Sequence, residues 1–531
     1  MTAGYKTNRG GPSSMMPSVA PPSDLEANAG RSYGRILKSS ALIGGSSILK
    51  IGLGIVRTKA MALILGPAGV GLLGLYGSIG DLAQSIAGMG INSSGVRQIA
   101  EAVGTGEADR IARTVTTLRR VAAVLGALGA LLLVTFCAPV ARLSFGDSRH
   151  AGAVALLGLA VFFGAVSGGQ MALVQGMRRI RDLAMANVLG AFYGTLFGIA
   201  IVYLYGERGV VPSLVCAAGM GIVTSWWYSR KINVRRVTMR LADISNEISS
   251  LLKLGFVFMA AGLMALGGAY LVRIAVVRRL GVEAAGFYQA AWALGGLYIG
   301  IILQAMGADF FPRLSAVAND NAECNRLVNE QTEVGLLLAG PGVLGTLTFA
   351  PLVIQLFYSD RFGPAVEILR WLCLGMMLRV ITWPLGFILL AKGERNLFFW
   401  SELASNAVYI GLVWVCLGGF GLKGTGMAFF GLYVFYWFLI YAIARRVSGF
   451  QWSPTNQRLV VFYGSIVGAV FAAWYFVPHT LLAAVAVLVT VLAGLYSLKR
   501  LSSLVPLERI PRVARWMLAF LQPAASPGRS A

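Results

Sequence analysis

Residues 38–80 read KSSALIGGSSILKIGLGIVRTKAMALILGPAGVGLLGLYGSIG. The stretch is mostly apolar, rich in Gly, Ala and Ser, and long enough to begin crossing a bilayer. Yet Lys50, Arg57 and Lys59 interrupt it. A cation at mid-bilayer costs at least about 2.5–3.5 kcal/mol even on the lenient insertion scale. Three on one helix must therefore face water, an anion or counter-charges. At about 100° per residue, Lys50 and Arg57 share one face and Lys59 points roughly the other way.

The stretch also recurs. Shifted by 215 residues, Lys38 falls on Lys253, Gly52 on Gly267, Leu65-Gly66 on Leu280-Gly281, Gly71 on Gly286 and Gly80 on Gly295. Two homologous halves are expected, each opened by an equivalent helix.

Composition sets the class. The chain is 57% hydrophobic and 13% charged over 531 residues, against about 25% charged in an ordinary soluble domain. Apolar runs of some twenty residues recur, so the expectation is an all-α polytopic membrane protein. The alternation of a β-barrel is absent. A net charge of +23 would suit nucleic acid, but the basic residues cluster in short loops between apolar runs, as membrane topology requires. No nucleic-acid partner is expected. The cysteines are scattered and no metal spacing, P-loop or catalytic grouping stands out. No enzyme, cofactor, metal or direct use of ATP is expected.

Residues 1–36 read as a disordered tail. Hydrophobic spans are expected at 37–64, 70–91, 121–141, 153–175, 184–205 and 210–229, giving a first lobe over 37–231. A basic linker covers 232–252. Spans at 254–277, 285–311, 334–358, 365–391, 397–419 and 425–444 give a second lobe over 253–446. A further hairpin occupies 447–498 and a basic tail 499–531, in which Leu504 to Gln522 has the marks of an amphipathic segment. With both termini cytoplasmic, 32 of the 45 Lys and Arg fall inside, seven outside and six within spans. That bias supports about fourteen spans in all. An even number per half makes the repeats parallel, with a cavity between them.

Intramembrane ionisable residues mark substrate or ion pathways. The candidates for holding an anion, pyrophosphate above all, are Lys50, Arg57, Lys59 and Arg273. The candidates for gating, proton transfer or counter-charge are Asp81, Asp309, Glu367, Arg370, Arg379 and Glu402. Glu367 and Arg370, three apart, can pair on one helical face. The alternative is that these charges pair internally or snorkel.

Several segments carry a resemblance: SSILKIGLGIVRTKAMALILGPAGVGL (46–72), QGMRRIRDLAMANVLG (175–190), GFYQAA (286–291), FFPRLS (310–315) and LAKGERNLFFWSELAS (390–405). In their order the chain resembles the O-antigen translocases, the Wzx-type polysaccharide transporters of the multidrug/oligosaccharidyl-lipid/polysaccharide (MOP) superfamily, and within them the lipid III flippases. The resemblance implies a MATE-like bundle of two six-helix lobes around a cavity. It implies alternating access that carries an undecaprenyl-pyrophosphate-linked oligosaccharide (an O-antigen or exopolysaccharide repeat unit) from the inner to the outer leaflet of the bacterial inner membrane. Lys50 and Lys59 match basic positions of the family's first helix, and Glu402 an acid of its eleventh. Arg57 stands where the lipid III pattern has a small residue, and Asp309 where it has an aromatic. The extra hairpin resembles the fourteen-span lipid II flippases.

The expected partners are the lipid-linked substrate, membrane lipid and glycan polymerase or assembly proteins, with the chain itself a monomer. Two rivals remain open. A cation-coupled drug exporter on the same fold should have an acid-lined cavity. A scaffold for glycan-assembly enzymes should have a sealed one.

Overall fold

The computed structural model describes residues 22–234, 241–476 and 479–504. Helices follow in the order α1 (Pro22–Gly88), α2 (Ile91–Thr105), α3 (Ala108–Thr135), α4 (Cys137–Phe145), α5 (Ala151–Gly176), α6 (Ile180–Tyr205) and α7 (Val210–Ser229). The second half contributes α8 (Leu241–Leu280), α9 (Val282–Ala316), α10 (Asn321–Thr348), α11 (Ala350–Phe357), α12 (Ala365–Ala391), α13 (Arg395–Phe420) and α14 (Gly424–Ser448). The closing hairpin is α15 (Pro454–Phe476) and α16 (His479–Leu504). No strand occurs among the described residues.

Among these residues nine helical runs are long and apolar enough to cross a membrane, or ten if the bent pair α10–α11 is one span. Gly45–Gly88, Ile180–Ser229 and Arg395–Ser448 are 44, 50 and 54 residues long, enough for two crossings each at about 20 residues per crossing. The protein is a multi-pass membrane protein.

The repeat is written into the backbone. Gly66 interrupts α1 at φ 66°, ψ −168°, and its counterpart Gly281 joins α8 to α9 at φ 91°, ψ 173°. This region is essentially closed to any residue with a Cβ, so the chain folds back only where glycine stands. The 215-residue offset holds at two more pairs with positive φ, Arg178 (54°) with Gly393 (75°) and Gly206 (57°) with Gly421 (60°). A fourth pair lies two residues off this register. Phe136 (φ −97°, ψ 16°) breaks α3 from α4 and Phe349 (φ −94°, ψ 17°) breaks α10 from α11.

Those breaks correct the expectation of continuous spans at 121–141 and 334–358. The α10–α11 break bends the chain by 81°. Several boundaries also differ: α3 starts at Ala108, α10 at Asn321, and α16 runs to Leu504, into the expected tail. Helix α1 reaches back to Pro22, inside the expected tail, and α8 starts at Leu241, so the linker 232–252 is helical over its second part. The rest of the tail (1–21) and the segment 505–522 lie outside the described residues.

The lobes meet where the two bends come together. A Cβ on Gly71 would collide with the Val282 carbonyl oxygen, and one on Gly286 with the Pro67 carbonyl oxygen. Pro67 and Val282 are themselves 215 residues apart, so each half offers the other the same contact. Two cross-lobe clamps lie near this crossing. The Lys59 ammonium donates to the Gln355 carbonyl at 2.8 Å, joining α1 to α11. Arg278 donates to the Arg142 carbonyl at 3.0 Å and the Tyr270 and Ser144 hydroxyls are 2.6 Å apart, joining α8 to α4. Each short helix after a break thus holds the opening helix of the other lobe.

The hairpin is seated on the second lobe through polar contacts. Asn329 on α10 accepts from the Ser453 amide at 2.8 Å and from Asn456 at 2.9 Å, and donates to the Gln451 carbonyl at 3.0 Å. The Tyr463 ring lies against Gly340, where a Cβ would not fit, and its hydroxyl meets Ser497. The Thr348 and Thr490 hydroxyls are 3.1 Å apart. With this cover the most apolar stretch of α12 is 72% enclosed, against 28% for its counterpart α5. Ile368, Leu369, Leu385, Ile388 and Leu389 of α12 are all fully buried.

Candidate functional site

The site is best built from Arg273. On α8 it lies eight residues before Gly281, and Gln289 on α9 lies eight residues after it. A chain that folds back at Gly281 brings the two to the same level, about 12 Å from the bend at 1.5 Å per residue. Arg273 Nε and Nη2 accordingly donate to Gln289 Oε1 at 3.1 and 2.9 Å. Gly74, eight residues beyond Gly66, leaves room for the Gln289 side chain, since a Cβ there would stand 3.0 Å from Oε1. Arg273 therefore sits at the seam between lobes, hydrogen-bonded to a neutral amide and in no ion pair among the described residues. Asp81 is close enough to attract it electrostatically without an ion-pair contact. The Tyr288 and Tyr409 hydroxyls, 3.5 Å apart and buried, lie within the same electrostatic reach.

Arg57 stands nine residues before Gly66, about 13.5 Å from its bend, the level of Arg273 on the equivalent helix. It is half-buried, and its Nε is fully enclosed with no hydrogen-bond partner. A buried guanidinium N–H without an acceptor is costly unless something arrives to accept it. Lys50 lies seven residues further from the bend, about 10 Å away along the helix, and is exposed. Lys59 points elsewhere, as its helical phase requires, and is engaged with Gln355.

The remaining candidates fall into three places. In the second lobe Tyr436 donates to Glu402 Oε1 at 3.1 Å, with Arg379 within electrostatic reach. The three come from α13, α14 and α12. On α12 the Arg370 guanidinium stands 4.0 Å over the Trp474 ring of the hairpin. Glu367 is exposed, and the expected Glu367–Arg370 ion pair does not form among the described residues. Asp309 is 75% exposed and pairs with Arg313, four residues on, at 3.2 Å. It belongs to the end of α9, away from Arg273.

The residues that sequence reasoning passed over are Gln289, Tyr288, Tyr409 and Tyr436. Gln289 was findable, because it lies inside GFYQAA and mirrors Arg273 about Gly281. Tyr288 lies in the same segment, but it and the other tyrosines are not singled out by that, since aromatics also form packing surfaces and interfacial belts.

Comparison with known proteins bears on this arrangement. The family described as "Polysaccharide biosynthesis protein" matches residues 60–367. The lipid III flippase of Escherichia coli (strain K12) is 21% identical over 415 residues, covering 77% of this chain and 99% of that protein. The teichuronic acid biosynthesis protein TuaB of Bacillus subtilis (strain 168) is 27% identical over 136 residues, 25% of this chain and 28% of that protein. Among solved structures, the inward-facing form of a MATE family multidrug resistance transporter of the MOP superfamily superposes with a TM-score of 0.64 at 18% identity. It covers 75% of this chain and 95% of the other. The lipid II flippase MurJ in an inward closed conformation gives 0.62 at 13% identity, over 87% and 99%. The fold is therefore the MATE-like two-lobe bundle, as expected.

Proposed function

The chain belongs to the polysaccharide biosynthesis protein family, and on that premise we propose that it is a flippase for lipid-linked oligosaccharide. In this reading the substrate is a repeat unit on undecaprenyl pyrophosphate, moved from the inner to the outer leaflet of the bacterial cytoplasmic membrane by alternating access. Both termini are cytoplasmic and the protein acts as a monomer beside the glycan polymerase and assembly proteins.

The observation that carries the reading is the pair Arg57 and Arg273. Two guanidinium groups stand at one depth on equivalent helices of the two lobes, one with an enclosed N–H that has no acceptor and one held only by an amide. A pyrophosphate supplies acceptors for both, in the fork geometry guanidinium favours. Lys50, exposed along the same face, serves as an earlier contact on the way in. Under the positive-inside orientation the Gly71–Gly286 crossing is at the outer end, so the cavity faces the cytoplasm. The inner seam is closed on one side, where a Cβ on Gly255 would collide with the Met89 carbonyl. On the other side Lys50, Gly52 and Gly54 are exposed, and there we place the opening through which the polyprenyl chain stays in lipid. Coupling draws on the proton gradient or membrane potential, at about 2.3 kcal/mol per charge per 100 mV.

The test is leaflet-resolved flipping by the purified protein in liposomes, with a fluorescent undecaprenyl-pyrophosphate oligosaccharide and, separately, a lipophilic cationic dye. Wild type moves the lipid-linked sugar. The properly inserted variant Lys50→Ala/Arg57→Ala/Arg273→Ala slows it by roughly tenfold or more, the scale of one lost charged hydrogen bond. Normal flipping by that variant would sink the assignment of the site. Movement of the dye alone would make the protein a drug exporter.

A further inference from the structure

A second basic cavity lies apart from the Arg57–Arg273 seam, against the inner ends of α3, α5 and α7. It is an open cleft of about 730 Å³, lined by Arg119 on α3, Gln170 on α5, Trp226 and Arg230 at the end of α7, and Asn233 and Val234 of the chain leaving that helix. None of the residues assigned to the seam lines it.

Its chemistry is that of an anion receptor with an apolar wall. Arg230 is held in place by two rings, its guanidinium 3.9 Å from the centre of Trp227 and 4.5 Å from that of Trp226. Among the described residues neither Arg119 nor Arg230 makes an ion pair, and no acid lines the cleft. Two like charges facing one space repel, and an anion between them relieves that repulsion. The Ser225 hydroxyl lies 2.6 Å from Gln170 Oε1, which leaves the amide nitrogen of Gln170 to donate. The exit from α7 is itself pinned by Arg179, which donates to the Lys231 carbonyl at 3.1 Å. The volume is in the range of small-molecule sites, ~300–1,000 Å³, well beyond a bare ion. Trp226 and Val234 offer surface for whatever apolar part follows the charge.

Arg119 sits at the inner edge of its span, two residues before the expected 121–141, and Trp226 and Trp227 have the placement of an interfacial belt. Basic pockets of this kind at the ends of membrane helices suit phosphate head groups. We propose that this cavity is a second anion site, separate from the transport seam, which takes a phosphate-bearing group at the inner membrane surface. Two sources share that chemistry, an anionic lipid head group and a soluble phosphate.

The experiment uses the full-length protein, delipidated in detergent and offered phosphatidylglycerol or phosphatidylcholine, with retained lipid counted by native mass spectrometry. Wild type keeps phosphatidylglycerol over phosphatidylcholine by roughly tenfold, within what two basic groups give at an anionic surface. Arg119→Gln/Arg230→Gln brings the two lipids to parity, and Arg119→Lys/Arg230→Lys restores part of the preference. Arg445→Gln/Arg446→Gln removes the same charge from the end of α14 and leaves the ratio unchanged. Displacement of the lipid by millimolar inorganic phosphate assigns the site to soluble phosphate, and resistance to displacement assigns it to the lipid. Equal retention of both lipids by folded wild type, with no thermal shift from inorganic phosphate, overturns the proposal. So does an unchanged ratio in the Gln variant.

Discussion

Arg178 holds a left-handed backbone with φ 54° where the second half of the chain uses Gly393. That conformation costs a residue with a Cβ about 1–2 kcal/mol. Glycine in its place loses more freedom on folding, by about 0.5–1 kcal/mol. The Arg178 side chain is exposed, so little else is lost. Arg178→Gly is therefore expected to stabilise the protein by about 0.5–1 kcal/mol, seen as a higher midpoint in thermal unfolding in detergent. Single residues were also where the sequence was most and least legible. The phases of Lys50, Arg57 and Lys59 follow from helix geometry alone, and the structure turns Lys59 away as that geometry requires. Arg370 defeats the same reasoning. Its i,i+3 carboxylate was the obvious partner, but the Trp474 ring comes from a hairpin about a hundred residues on, and helical spacing says nothing about such a neighbour.

Helices α4 and α11 are where the sequence misled at the next scale. Apolar runs of normal length hide a break, because Phe136 and Phe349 are as apolar as the helix on either side. What marks the breaks is the proline just after each, Pro139 and Pro351, in the first turn of the short helix, where the missing N–H stops the preceding helix. These short helices carry the clamps, Lys59 to Gln355 and Tyr270 to Ser144. Lys59→Ala with Tyr270→Phe removes both contacts, each worth about 1 kcal/mol, and shifts the balance between closed and open forms roughly thirtyfold. The check is the separation of spin labels at Arg208→Cys and Lys423→Cys in a cysteine-free background. These positions are equivalent in the two lobes, and their distance distribution should gain a longer component.

For the molecule as a whole the hairpin of α15 and α16 is the unpaired part, a cover on one lobe with no counterpart on the other. Its hold on that lobe is centred on Asn329, which links α10 to Gln451, Ser453 and Asn456. Asn329→Ala strands several partly buried partners at about 0.5–1.5 kcal/mol each. The net loss is expected to be about 2 kcal/mol, read as a lower unfolding midpoint. Protease cleavage near residues 449–453 should rise with it. An unchanged midpoint would show that the Asn329 contacts add nothing to the hold of the hairpin.

The crossing of Gly71 over Val282 and of Gly286 over Pro67 has the form of an interface between identical partners, in which each side presents the patch that it receives. Fusion of two copies of one gene leaves such a mark. Two copies of a chain about half this length, each with its own glycine at this point, would make the same paired contact without the linker before α8.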